Sequence, residues 1–344
     1  GGADGGGAAK KRRKKKKGGV HFERLVKNKR LAEAQSLAWN EEGLCDGGGL
    51  RIDGGDVTLE RVHFTGNQTT GGDGGAIAMS GGDTLTIDDC VFDGNDASDD
   101  GGAIAAFSGN TVITDSRFTG NTAADGGAVL ASEVSLTVRD CVFESNVATE
   151  SGGGLFASGS DVTLRTSELV SNQAADGGGA ALVNATGSVR NTVFHSNTAD
   201  IGGGLAVGGD VLVANDTFVA NTATTSGSAL YVTGGTVDAA GVLGMYNSGT
   251  ACSVSGGVLD ITYSTLFATV GVDWGTGCDA DASGNTTVNP LFVMVDADAE
   301  YADDDLSLAS GSPAIDSGPP DAAFDDSDGS QNDRGHTGGP FAAP

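Results

Sequence analysis

The sequence has 344 residues, of which 58 are glycine and only 6% are aromatic, too few large side chains for a thick globular core but enough for a thin, repetitive one. Charge is split unevenly: residues 1–44 hold 12 Lys/Arg against 5 Asp/Glu, whereas residues 45–344 hold 7 Arg, no Lys and 41 Asp/Glu. A body this acidic repels nucleic acid and anionic polysaccharide, and no apolar run approaches the ~18 residues of a membrane-spanning helix.

The chain opens with a Gly-rich tail, residues 1–20, that carries eight consecutive cations from Lys10 to Lys17. A basic run of this kind can bind polyanions. The acidic body opposes that, so a disordered tail foreign to the rest of the chain is expected. Residues 21–46 place Phe22, Leu25, Val26, Leu31, Ala34, Leu37 and Ala38 at weak helical spacing. This predicts a short helix in an N-terminal cap, because a solenoid needs its open end covered. No apolar signal core follows Gly1, so an export signal is expected either upstream of it or not at all.

From residue 47 the chain repeats. A Phe-x-x-Asn mark recurs as Phe64/Asn67, Phe92/Asn95, Phe118/Asn121, Phe143/Asn146, Leu169/Asn172, Phe194/Asn197 and Phe218/Asn221, at steps of 24 to 28 residues. After each Asn comes a polar loop and then a Gly-Gly run: Gly74-Gly75-Ala76, Gly101-Gly102-Ala103, Gly126-Gly127-Ala128, Gly153-Gly154-Leu155, Gly178-Gly179-Ala180 and Gly203-Gly204-Leu205. Five residues before each mark stands an aliphatic column (Leu59, Ile87, Ile113, Val138, Leu164, Val189, Val213). The column just before it is mostly Thr (Thr58, Thr86, Thr137, Thr163). This period-2 alternation gives strands with an apolar inner face and a Thr outer face.

Strands this short cannot bury a face alone. Coiling the chain so that each strand pairs with its equivalent one turn later solves the problem at ~4.8 Å per coil. The predicted fold is all-β: a right-handed parallel β-helix over residues 47–290, with about nine coils of roughly 25 residues and three short strands per coil. The Phe column should stack inside. The Asn column should form a ladder of side-chain amides at a corner where Asn itself tolerates left-handed backbone.

Two degenerate coils follow. Gly234-Gly235-Thr236-Val237-Asp238 is echoed by Gly256-Gly257-Val258-Leu259-Asp260. Cys252 and Cys278 lie one coil apart, within disulfide reach, which implies an oxidising compartment. Cys90 and Cys141 are two coils apart and should stay reduced and buried. Residues 291–344 read as a C-terminal cap and tail over the last coil.

The Gly-Gly-Ala-Ile and Phe-x-x-Asn pair, repeated seven times across about residues 47–232, resembles the repeat of the polymorphic outer-membrane proteins. That resemblance implies a β-helical passenger and a bacterial surface adhesin. The tail segments Asn289–Val293, Gly311–Asp316 and Gly338–Pro340 look like the close of secreted bacterial β-helix proteins. Those outer-membrane proteins end in a membrane barrel, and nothing after residue 290 has the alternating strands of one.

Candidate chemistry is sparse. Arg139, Arg165 and Arg190 share one column, with Asp89, Asp115 and Asp140 in the next; a solvated ladder of offset charges is favoured over a binding stripe. His63 and His195 read as ordinary surface residues. Asp326, Asp328 and Asp333 around Gly329 resemble a calcium loop, as does the Asp303–Asp305 cluster, though the spacing misses the EF-hand pattern. No other cofactor is implied. The expected function is a non-enzymatic, monomeric, exported surface scaffold or adhesin facing an extracellular or surface ligand, with a carbohydrate-active β-helix enzyme as the alternative. A groove where charged and aromatic side chains break the repeat would favour the enzyme; uniformity favours the scaffold.

Overall fold

The computed structural model describes residues 19–22, 37–38, 46–81, 83–267, 271–279, 283–295 and 301–342. Its centre is a parallel β-helix. The strands that carry the Phe mark pair in register from Val62–Thr65 through seven intermediates to Thr265–Phe267, which makes nine coils. The Thr strands, such as Ser135–Arg139, and the Gly-Gly strands, such as Val129–Ser132, pair in the same parallel way with the coils above and below. In two coils they fuse into single strands, Ala180–Arg190 and Leu205–Ala214.

The core follows the predicted columns. Phe64, Phe92, Phe118 and Phe143 stack with ring centroids 4.7–5.0 Å apart, and Phe194 stacks on Phe218 at 4.7 Å. Leu169 fills the gap between the two stacks. The Asn ladder is continuous. It begins at Asn67, whose Nδ2 donates to Asn95 Oδ1 (2.8 Å). In mid-ladder, Asn146 Nδ2 donates to Asn172 Oδ1 (2.9 Å) and to the Phe118 carbonyl (3.0 Å), while its own Oδ1 accepts from both the backbone and the side chain of Asn121. Asn172 passes the pattern to Asn197 (3.0 Å), and Asn197 Nδ2 donates in turn to Asn221 Oδ1 (3.0 Å). The ladder does not end at Asn221, as the marks suggested. Asn221 Nδ2 donates to Asn247 Oδ1 (3.0 Å), one coil further on. In that coil Gly244 replaces Phe, and Leu266 occupies the space.

Two details of register correct the expectation. The left-handed residue at the Asn corner is the one before the Asn: Gly66, Gly94, Gly120, Ser145, Ser171, Ser196 and Ala220. None of the Asn column, from Asn67 to Asn197 and Asn221, takes left-handed backbone itself. The reason is that each Asn N–H and side-chain amide must face the next coil, as Asn67 N–H and Asn197 N–H do toward Asn95 and Asn221. The preceding residue therefore makes the turn. In the coils where three glycines run together, the left-handed corner is Gly152, Gly177 and Gly202, one position earlier than the Gly-Gly pairs chosen from sequence. The next glycine is required for a different reason: a Cβ on Gly153 would collide with the Gly178 carbonyl of the next coil.

The ends also differ. Gly19–Phe22 is a strand, antiparallel to Val62–Thr65, and Leu37–Ala38 pairs antiparallel with Leu50–Asp53, so the first coil's edges are met by strands. The rest of the predicted tail and capping helix lies outside the described residues, as does Cys45. At the other end, residues 283–286 cover the last Phe strand, with Leu266 N–H donating to Thr286 O. The chain then turns back along the flank of the solenoid rather than sitting only on its end. Phe292, Leu306 and Ala314 pack on the outward faces of Val193, Val219, Leu243 and Met245 as a second apolar cluster. This strap runs over at least three coils. Among the described residues no helix is long and apolar enough to cross a membrane.

Candidate functional site

Through most of the solenoid the outward column of the Thr strands is short and mostly hydroxylic. In coils eight and nine it becomes Asp238 and Asp260. Val237 and Ala239 point inward and are buried, so period-2 alternation forces Asp238 outward, and Asp260 is its register partner one coil on. Both are exposed. At the corner that follows, Tyr263 takes left-handed backbone (φ 49°). The strap supplies the opposite wall with Pro319, Pro320, Asp321 and Phe324. Between them lies a cleft of about 700 Å³ with three carboxylates, two aromatic rings and two prolines among its lining.

The strap wall is held rigidly. Phe324 N–H donates to Asp321 O (2.8 Å), and Asn332 Nδ2 donates to Phe324 O (2.6 Å). Asp321 also caps Ala323 N–H at 2.9 Å, which fixes its orientation. Behind this loop the buried Arg334 donates to Ser317 O, Ser264 O, Thr265 Oγ1 and Gly284 O, tying strap to coil with neutral acceptors. Burial pushes its guanidinium pKa down.

The other predicted groups are placed as follows. Cys252 and Cys278 form the expected disulfide (Cα–Cα 6.2 Å). Cys90 and Cys141 are free and buried, and burial pushes their thiols up to about 11 and about 12, away from reactivity. The Arg column divides. Arg139 pairs with Asp140 (3.1 Å) in solvent, as a charge ladder would. Arg165 instead lies 5.2 Å from the Phe341 ring, and Arg190 lies 5.9 Å from both Phe324 and Phe341, so the strap covers two of the three. Asp89, Asp115 and Asp140 occupy left-handed corners (φ 51°, 50° and 56°), a position short polar side chains suit.

His195 is not a surface residue. It is fully buried beneath the strap, its Nε2 2.7 Å from Asp304 Oδ2, with Tyr301 tilted against its ring at 4.9 Å. His63 stays half-exposed. Asp326, Asp328 and Asp333 do not converge on a common point. Asp326 accepts from Asp333 N–H and Gly339 N–H, Asp328 from Ser330, and Asp333 from Asp316 N–H. In the neighbouring acidic cluster Asp305 caps Ser307 N–H. Among the described residues no group of three or more His, Cys, Asp or Glu side chains is arranged to hold a metal ion.

Sequence reasoning missed the pairing of Asp304 with His195, the contacts of His336 and Arg334, and the cleft. Only the cleft had a signal: the echo of Asp238 by Asp260 in a column that carries no other charged residue.

No curated protein and no solved structure matches the chain. The family model for the right handed beta helix region matches residues 38–199. With nine parallel coils among the described residues, the chain has the right-handed parallel β-helix fold, an architecture shared by adhesins and carbohydrate-active enzymes.

Proposed function

We propose that this is an exported, monomeric surface protein of adhesin-like type, in which a uniform solenoid spaces a single glycan-binding cleft at its C-terminal coils. The observation that carries the reading is the contrast along the solenoid axis. Five of the first seven coils place Thr or Ser at the outward position of the Thr strand, and Val112 and Leu212 fill it in the other two. Carboxylates take it in coils eight and nine, where Tyr263 and the strap's Phe324 and Asp321 line the same cleft. Flat apolar rings beside hydrogen-bonding carboxylates suit the alternating C–H and hydroxyl faces of a sugar. The resemblance of the repeat to that of polymorphic outer-membrane proteins supports the surface role, and the Cys252–Cys278 disulfide supports an oxidising exterior.

A groove where charge and aromatic rings break the repeat is also what a carbohydrate-active enzyme would show. Asp321 lines the wall opposite Asp238 and Asp260, as hydrolysis of a glycosidic bond by two carboxylates needs, so the enzyme is the second reading; the resemblance of the repeat keeps the adhesin first. Incubation with a panel of oligosaccharides, scored for both binding and new reducing ends, separates the two. Binding without cleavage is the outcome expected. Cleavage that disappears in Asp260→Asn would establish the enzyme instead, and binding to none of the panel would sink both readings.

A further inference from the structure

We propose that the cleft selects a glycan bearing free amino groups, a glucosamine-type polymer, over neutral or acidic ones. The inference rests on the glycan reading above and names its substrate class.

Asp238 and Asp260 are direct register partners on neighbouring parallel strands, one coil (~4.8 Å) apart. Like charges set opposite each other across strands destabilise a sheet. The fold does not need them there: Thr58, Thr86, Thr137 and Thr163 fill the same column and pair without that cost. Asp321 faces the pair from the strap, and no Lys or Arg is among the lining side chains. Three carboxylates therefore line the cleft with no cation in the lining itself; Arg190, 5.9 Å from the centre of the Phe324 ring, is the cation held at that wall.

The rest of the lining limits what cation the cleft can take. Tyr263, Phe324, Pro319 and Pro320 present flat apolar faces, which a small hydrated metal ion would leave unused. An ammonium on an apolar ring system uses both halves of the site. Its charge meets the carboxylates and the negative faces of the aromatic rings, while its C–H face lies on the rings and prolines. A uronic-acid polymer would be repelled by the cleft and by the acidic body around it. An N-acetylated or neutral polymer would keep the stacking but leave the Asp238–Asp260 repulsion uncompensated.

Calorimetric titration of the full chain at pH 6 with glucosamine, N-acetylglucosamine, glucose and galacturonate oligomers of equal length tests this. The glucosamine oligomer is expected to bind at least about tenfold tighter than its acetylated counterpart, with the preference falling as salt rises. Asp238→Asn combined with Asp260→Asn should abolish the preference while leaving thermal stability unchanged or raised, which also reports that the variant folds. Phe324→Ala should weaken every oligomer alike. Equal binding of the acetylated or acidic oligomer, or a preference that survives the double substitution, overturns the proposal and leaves the glycan reading standing. Failure of every oligomer to bind overturns both.

Discussion

The Nε2 of His195, on a Phe strand in the sixth coil, lies 2.7 Å from the Oδ2 of Asp304, 109 residues later in the strap, and both side chains are almost wholly buried. This pair and the apolar cluster of Phe292 and Leu306 on Val193 and Val219 dock the strap on the solenoid flank. The strap in turn forms one wall of the cleft, so the pair acts on the site at a distance.

Removing one partner deletes a buried hydrogen bond between strap and solenoid, a loss of roughly 1–3 kcal/mol. His195→Ala should therefore lower the melting temperature and expose the strap to limited proteolysis, with the solenoid coils still protected. Wild-type protease resistance in the strap of His195→Ala would show that the apolar cluster alone suffices to dock it.

His336 makes a second contact sensitive to acid. Thr217 Oγ1 accepts the His336 backbone N–H (2.9 Å) and lies 3.0 Å from its Nδ1, which holds the ring against the coil. Burial holds this side chain down to about 4, against a free value near 6.5, and the charge of Asp305 only partly opposes the shift. A base depressed in the folded state contributes fully above about pH 6.5 and loses that contribution as the pH falls toward 4. The half-buried ring limits the effect to roughly 1–2 kcal/mol. The stability difference between wild type and His336→Gln, followed by thermal melting, should shift against the wild type between pH 7 and pH 4. A pH-independent difference would refute the assignment.

Asn146 sits mid-ladder and takes part in four side-chain hydrogen bonds, all buried. Asn146→Ala leaves the Asn121 N–H without its side-chain acceptor and removes one bond each from Phe118 O, from Asn121 Nδ2, which keeps Phe92 O, and from Asn172 Oδ1, which keeps the residue-146 N–H. At about 1–3 kcal/mol for the unpaired group and about 1 kcal/mol for each further bond, a total loss of roughly 3–6 kcal/mol is expected. Asn146→Asp should be at least as damaging, because a carboxylate cannot donate to Asn172 or to the Phe118 carbonyl. Urea melts of both variants measure this. A smaller loss than that of Phe143→Ala, about 3–5 kcal/mol, would make the ring stack rather than the amide ladder the dominant staple.

The columns were readable because a parallel β-helix writes its lateral contacts into the sequence as a period. Phe92 lies over Phe118, and Asn95 over Asn121, at a fixed separation of one coil, so the alignment of marks is itself a contact map. The disulfide between Cys252 and Cys278 was readable for the same reason. Backbone conformation at the corner was not: the period aligns Asn67, Asn197 and Asn221 but does not say that Gly66, Ser196 and Ala220 make the turn. The strap obeys no period. Nothing in the sequence around Asp304 points to a histidine 109 residues earlier, and Arg334 meets Ser264 and Thr265 only because a non-repetitive segment doubles back. Asp238 and Asp260 were half-legible: their spacing showed, but the wall that makes a cleft of them did not. The N-terminal strand at Gly19–Phe22 was missed because weak helical spacing outweighed the sheet edge that it pairs with.

A final prediction concerns the turns before the Gly-Gly corners, where Asp46, Asp73, Asp100 and Asp125 stack in four successive coils. Each carboxylate accepts the backbone N–H of the residue one coil on: Asp73 to Asp46 (3.1 Å), Asp100 to Asp73 (3.0 Å) and Asp125 to Asp100 (3.2 Å). The ladder needs acceptors but does not need charge. Desolvation first, then the charges of Asp125, Asp73 and Asp99, push Asp100 up to about 6. An acid raised in the folded state costs no stability while protonated, and destabilises progressively as the pH rises from about 4 through 6. Asp100→Asn keeps the acceptor for Asp125 N–H and removes the repulsion. It should stabilise the chain by about 1 kcal/mol at pH 7, after allowance for solvent screening, and by nothing at pH 3.5. Thermal melts of the two proteins at both pH values decide the matter: a gain that persists at pH 3.5 would trace to packing, and no gain at pH 7 would mean that the carboxylate's charge is already compensated in solution.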